Sequence, residues 1–115
     1  MTETELAKRK CVACAPGTPS LDEAAAAGLH AQVDPAWERD ATRTLRRAFQ
    51  FGNFRDAFGF ATRVALLAEG QGHHPDLEVG WGRVAVALTT HAAGGLTDND
   101  FIMAARIDRL HEPSG

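Results

Sequence analysis

Residues 79–91 read VGWGRVAVALTTH. Val84, Val86 and Leu88 fall on one side of an extended chain, with Ala85, Ala87, Thr89 and His91 on the other, the period of two that marks a strand with one buried face. Gly80 and Gly82 mark a bulge or bend between this strand and a shorter one over about Leu77 to Trp81. Links this short join antiparallel neighbours, because a parallel crossover needs a dozen residues or more.

Working outward, residues 53–70 carry the clearest helical period. Asn53 suits the N-cap, and Phe54, Ala57, Phe58, Ala61, Val64, Ala65 and Ala68 recur at i, i+3, i+4 and i+7. The interior Gly59 predicts close packing against a neighbour, since glycine costs about 1 kcal/mol relative to alanine there. The helix is expected to stop at Glu69, with Gly70 in the left-handed C-terminal position.

Upstream, WERD and TLRRAFQF flank a polar turn at Ala41 and Thr42 and read as a hairpin with Leu45, Phe49 and Phe51 on one face, which Arg47 shares. The segment SLDE at 20–23 has the form of a capping box, and Leu21, Ala25, Leu29 and Val33 then form a stripe that ends before Pro35. Downstream, Ala93, Gly94 and Gly95 turn the chain, and a last helix opens at Thr97 as N-cap and is stopped by Pro113. The order α-β-β-α-β-β-α predicts an α+β two-layer sandwich, a four-stranded antiparallel sheet with helices packed on one face. An irregular lead-in is expected over residues 1–19 and a single domain over 20–112.

The chain has 115 residues, 44% hydrophobic and 23% charged, which fits one compact globular core. Its net charge of −3 provides no broad positive field, so no nucleic-acid partner is expected. The opening MTETELAKRK lacks an apolar signal region and no run is long enough to span a bilayer, from which a cytoplasmic protein with no membrane partner is expected. Cys11 and Cys14 form a CVAC pair without the further ligands of a structural zinc site, and are read as reduced thiols.

Chemistry-bearing residues collect at element boundaries: Glu69, His73, His74, His91 and Asp100. Imidazoles exchange protons near neutrality, so three of them flanked by two carboxylates form a proton-transfer set. Each has a plainer reading. His73 and His74 suit an exposed loop closed by Pro75, and His91 a solvated strand end. Asp100 sits three residues after Thr97, where a carboxylate favours the helix dipole. Glu69 lies at the unfavourable end of that dipole, so another advantage is wanted there. Metal binding competes, but adjacent histidines in extended chain point to opposite sides, and no catalytic metal is expected. Trp81 reads either as packing or as an apolar wall for a flat ligand.

Taken together, Glu69, three residues, His73-His74-Pro75, five residues, Trp81, nine residues, His91, eight residues and Asp100 closely resemble the signature of the pterin-4a-carbinolamine dehydratases. FQFGNF, VGWGRVAVALTTH and GGLTDNDFIMAARID are similar to the same family, and the resemblance spans about Trp37 to Asp108. Leu77 and Gly80 depart from it, standing where relatives often carry bulkier or polar residues.

The resemblance implies removal of water from 4a-hydroxytetrahydrobiopterin to give the quinonoid dihydropterin, in recycling of tetrahydrobiopterin after aromatic amino acid hydroxylation. It implies no metal or organic cofactor, and a homodimer or homotetramer. It implies acid/base roles for His73 and His91, with His74 gripping the pterin or sharing the proton work. Glu69 and Asp100 would orient imidazoles or bind ring nitrogens, and Trp81 would line the site. The alternative it carries is a non-catalytic binding, assembly or transcription-coactivator protein on the same scaffold.

Overall fold

A computed structural model describes residues 5–13 and 15–111. Cys14 and Pro113, and with them one half of the CVAC pair and the expected helix stop, lie outside the described residues. Two hairpins meet in one sheet. β1 (Glu38–Asp40) pairs antiparallel with β2 (Thr44–Gln50), β3 (Asp76–Gly80) pairs with β4 (Arg83–Leu88), and β2 lies against β4 in the order β1-β2-β4-β3. All three pairings are antiparallel, as expected. The turn between β1 and β2 places Ala41 at φ 51°, a left-handed conformation unusual for a residue with a side chain.

Leu45, Phe49, Val84, Val86 and Leu88 are buried beneath the helices, while Arg46, Ala48, Gln50 and Glu78 face outward on the open side. Trp37, Phe49, Phe60 and Phe101 are fully buried, each side chain contributing about 1.5–3 kcal/mol to the core. Arg47, the charge on the inward face of β2, lies with its guanidinium 4.3 Å from the Phe49 ring centroid and pairs with Asp108 at 2.7 Å and Asp34 at 3.6 Å. Asp108 also accepts from the Trp37 indole N–H.

The long helix α3 (Phe54–Gln71) begins as expected, the Asn53 side chain accepting from the Asp56 N–H. Its buried stripe is rotated from the expected one. Ala57, Phe60, Ala61, Val64 and Ala68 face the core, whereas Ala65 is exposed and Phe54 and Phe58 stack on each other at the surface, 49% and 54% exposed. Leu66 is also exposed, at 68%. Gly59 faces open space rather than a close neighbour, with only the tip of Arg63 within reach of an added Cβ. The helix runs past Glu69, and Gly72, not Gly70, takes the left-handed cap at φ 67°.

α2 (Glu23–His30) is capped by Asp22, whose carboxylate accepts from Ala25 N–H, so the expected capping box from Ser20 does not form. Ala26 rather than Ala25 is its buried residue. The lead-in is not wholly irregular. It contains a helical turn, α1 (Glu5–Lys8), whose Leu6 and Ala7 are buried, and it packs on α4 (Asp98–His111). Between β4 and α4 the chain makes a 3-10 turn (His91–Ala93). Thr90 and Gly95 bridge across it, and Leu96 N–H donates to Thr42 carbonyl. A Cβ on Gly95 would stand 2.7 Å from that same carbonyl oxygen, so backbone meets backbone there.

Candidate active site

Three chain segments converge where α3 ends, β4 ends and α4 begins. The alternation of β4 carries inward past Leu88 to Thr90, which is 4% exposed, so a hydroxyl falls where the pattern would place an apolar side chain. Thr97 directly precedes α4 and Asp100 is the helix's third residue. The Asp100 carboxylate, wholly buried, accepts at Oδ2 from Thr97 N–H at 3.0 Å and Thr90 Oγ1 at 2.8 Å, and Thr90 and Thr97 hydroxyls are 2.9 Å apart. Asp100 therefore does serve the helix start, the plainer of its two readings.

Its second oxygen does something else. Oδ1 lies 2.6 Å from Nε2 of His73, which reaches it from just beyond the left-handed Gly72. Because that carboxylate acts as acceptor, Nε2 is the nitrogen that donates to it, and in the neutral ring the lone pair then falls on Nδ1. The His73 side chain is 11% exposed, so the ring is held at the edge of the core rather than free in a loop.

His74 points its Nε2 at Glu69 Oε1, 2.6 Å away, with both side chains exposed. This contact offsets the unfavourable placement of Glu69 near the end of α3. His91 opens the 3-10 turn, exposed, next in sequence to the Thr90 that holds Asp100. Trp81 is elsewhere. The register pairs Asp76 with Ala87 and Gly80 with Arg83, so Trp81 forms the hairpin tip at the opposite end of β3, about 16 Å from Asp76 at ~3.3 Å per residue. It is 74% exposed there and does not join the histidines within one chain.

A depression of about 690 Å³ lies on the open face of the sheet, floored by Ala48, Ala85 and Ala87 and rimmed by Arg46, Glu78 and Arg83, and none of the three histidines lines it. Among the described residues no three His, Cys, Asp or Glu side chains gather to hold a metal ion.

The pairings of His73 with Asp100, 27 residues apart, and of His74 with Glu69 engage four of the motif residues around the end of α3. The family model described as pterin 4 alpha carbinolamine dehydratase matches residues 19–110. The chain belongs to that family. Among curated relatives of the dehydratase family, a protein of Rubrobacter xylanophilus provisionally named a pterin-4-alpha-carbinolamine dehydratase is 47% identical over 107 residues, covering 93% of this chain and 99% of the relative. A similarly named protein of Methylococcus capsulatus is 44% identical over 111 residues, covering 96% of each. Among solved structures, a Brucella melitensis protein described as a transcriptional coactivator/pterin dehydratase matches with a TM-score of 0.73 at 34% identity, over 79% of this chain and 97% of that one. A pterin dehydratase-like protein described as a RuBisCO assembly factor in the alpha-carboxysome matches with a TM-score of 0.58 at 26% identity, over 69% of this chain and 93% of that one.

Thr90 and Thr97 are the partners of Asp100 in the candidate site that reading the sequence for acids and bases passes over. The available signal is Thr90 itself, a hydroxyl at the inward step of an otherwise apolar alternation.

Proposed function

We infer that this member of the dehydratase family removes water from 4a-hydroxytetrahydrobiopterin by histidine acid/base catalysis. The single observation that carries the reading is the anchoring of His73 to the buried Asp100, which leaves Nδ1 of an edge-positioned ring available to a ligand. The reaction breaks the C4a–O bond and forms the C4a=N5 double bond. A proton must reach the departing hydroxyl, which leaves as water, and another must leave N5.

His73 suits the base. As Nδ1 takes the N5 proton, the ring becomes an imidazolium, and the Asp100 carboxylate behind it stabilises that charge. His91, exposed at the end of β4, then serves as the acid that protonates the hydroxyl, and the two rings reset by exchange with water. His74, steadied by Glu69, grips the pterin. Asp100 acts on the imidazole, not on the pterin, because both of its oxygens are already engaged inside the protein.

The reading carries a cytoplasmic setting and a homodimer or homotetramer. The exposed Phe54, Phe58 and Leu66 on α3 support self-association, since exposed apolar side chains gain stability when covered. The same side chains also favour a second reading, a binding or assembly role of the kind named for two of the structural relatives. Turnover of 4a-hydroxytetrahydropterin by the wild-type protein, and its loss by about 10²–10⁴-fold in His73→Ala and in His91→Ala, tests the enzymatic reading. Near-normal turnover in both variants overturns the assignment, and absent wild-type turnover with a specific protein captured from the native cell favours the second.

A further inference from the structure

The segment Arg9–Val12, outside the family match at 19–110, is tied by both backbone and side chain to the neighbours of the site residues. Cys11 N–H donates to the Gln71 side chain at 2.9 Å, and Gln71 is two residues before His73. Val12 N–H donates to Asn99 Oδ1 at 2.9 Å while Asn99 Nδ2 donates back to Val12 carbonyl at 2.6 Å, and Asn99 directly precedes Asp100. Arg9 pairs with Asp98 at 3.1 Å, and Arg106 donates to Arg9 carbonyl at 2.7 Å. Farther along, Gly17 N–H donates to the carbonyl of Ala92, the residue after His91.

Two of the segments that carry an imidazole or carboxylate of the candidate site, the end of α3 and the start of α4, are thus held by Arg9–Val12, and the third, beside His91, by Gly17 farther along. Asn99 is 7% exposed, and its two-way pairing with the backbone of the exposed Val12 mimics one rung of a strand ladder. Without this stretch, the end of α3 and the start of α4 would keep their helix–helix packing but lose the ties made beside His73 and Asp100.

We propose that Arg9–Val12, gripped by Gln71 and Asn99, is a positioning strap that fixes the end of α3 against the start of α4 and so sets the His73–Asp100 geometry. Gln71 and Asn99 are positioning residues, acting through His73 and Asp100. The inference deepens the dehydratase reading and rests on it for the kinetic readout alone.

The test uses the full chain labelled with ¹⁵N-histidine, comparing the wild type with Gln71→Ala, Gln71→Glu and Asn99→Asp. The readouts are solvent exchange of the His73 Nε2 proton and steady-state dehydration. In Gln71→Ala that proton exchanges with water about 10-fold faster or more. The kcat falls about 10-fold while KM stays within about twofold, the pattern of a misaligned group rather than lost binding. Gln71→Glu retains an oxygen for Cys11 N–H and restores both readouts. Asn99→Asp, which keeps the acceptor for Val12 but loses the donor, shifts them in the direction of Gln71→Ala and carries the test if that variant does not fold. A folded Gln71→Ala or Asn99→Asp with the wild-type exchange rate of the His73 proton overturns the strap. If the wild type shows no turnover, the dehydratase reading fails while proton exchange still decides the strap.

Discussion

Nε2 of His73 lies 2.6 Å from Oδ1 of Asp100, a carboxylate with no exposure to solvent. Replacing Asp100 with asparagine keeps the volume but substitutes a neutral amide for the group that backs the imidazolium. The expected result is a fall in kcat of about 10²–10³-fold, within the range for impaired acid/base catalysis. Stability should fall by about 1–3 kcal/mol, because Thr90, Thr97 and His73 cannot all find partners on the amide. Steady-state kinetics and urea unfolding of Asp100→Asn check both.

Trp81 offers the opposite expectation. At the exposed tip of the β3–β4 hairpin it contacts neither histidine pair, so Trp81→Ala should leave kcat and KM within about twofold of wild type and stability within ~0.5 kcal/mol. A large rise in KM would mean that the indole reaches a site formed by another copy of the chain.

The exposed apolar side chains of α3 should respond to charge. Phe58→Asp, alone or with Leu66→Asp, is expected to shift the protein to a smaller species in sedimentation or light scattering while circular dichroism stays unchanged, because neither side chain enters the core. An unaltered mass would place self-association on another surface.

Asp108 gives a pH signature independent of the site. Burial raises its carboxyl from 3.8 to about 6, outweighing the Trp37 hydrogen bond and the Arg47 charge that favour ionisation. The folded state therefore binds the proton more tightly than the unfolded one. The resulting stability is fully present below pH 3.8 and is lost as pH rises through about 6. His111, lowered mainly by burial among Phe49, Phe51 and Phe60, with Arg47 adding to the shift, slopes the other way as pH falls. Subtracting the unfolding free energy of Asp108→Asn from that of wild type between pH 4 and 7 isolates the first effect. The difference should decline with rising pH by on the order of 2 kcal/mol.

Much of the fold was legible because two periods are hard to mistake. The alternation in β4 and the i, i+3, i+4 recurrence in α3 identify element type, and the short links between strands leave antiparallel pairing as the simplest sheet. Phase was harder to read. Phe54, Phe58 and Phe60 belong to two overlapping stripes of α3, and periodicity alone does not say which stripe meets the sheet. Caps near one another were similarly ambiguous: Asp22 competes with Ser20, and Gly72 with Gly70, and only the surrounding packing selects between them. The four residues of α1 offer too short a run for any period to emerge.

The candidate site was legible as a set of residue types but not as a set of contacts. His73 and Asp100 are joined through the fold, and Thr90 connects them to the end of β4, relations that no local spacing contains. Trp81 shows the converse. Its distance in sequence from His74 is small, yet an extended strand carries it away along the sheet rather than back toward the imidazoles.

The contact of Gly95 with the Thr42 carbonyl limits how the molecule can vary. Even a methyl group would wedge the first hairpin away from the loop that carries His91, so that junction is closed to larger residues. Gly70, next to Glu69 in α3, has empty space around it. New side chains are therefore accommodated at the end of the long helix and not at the junction of that loop with the first hairpin.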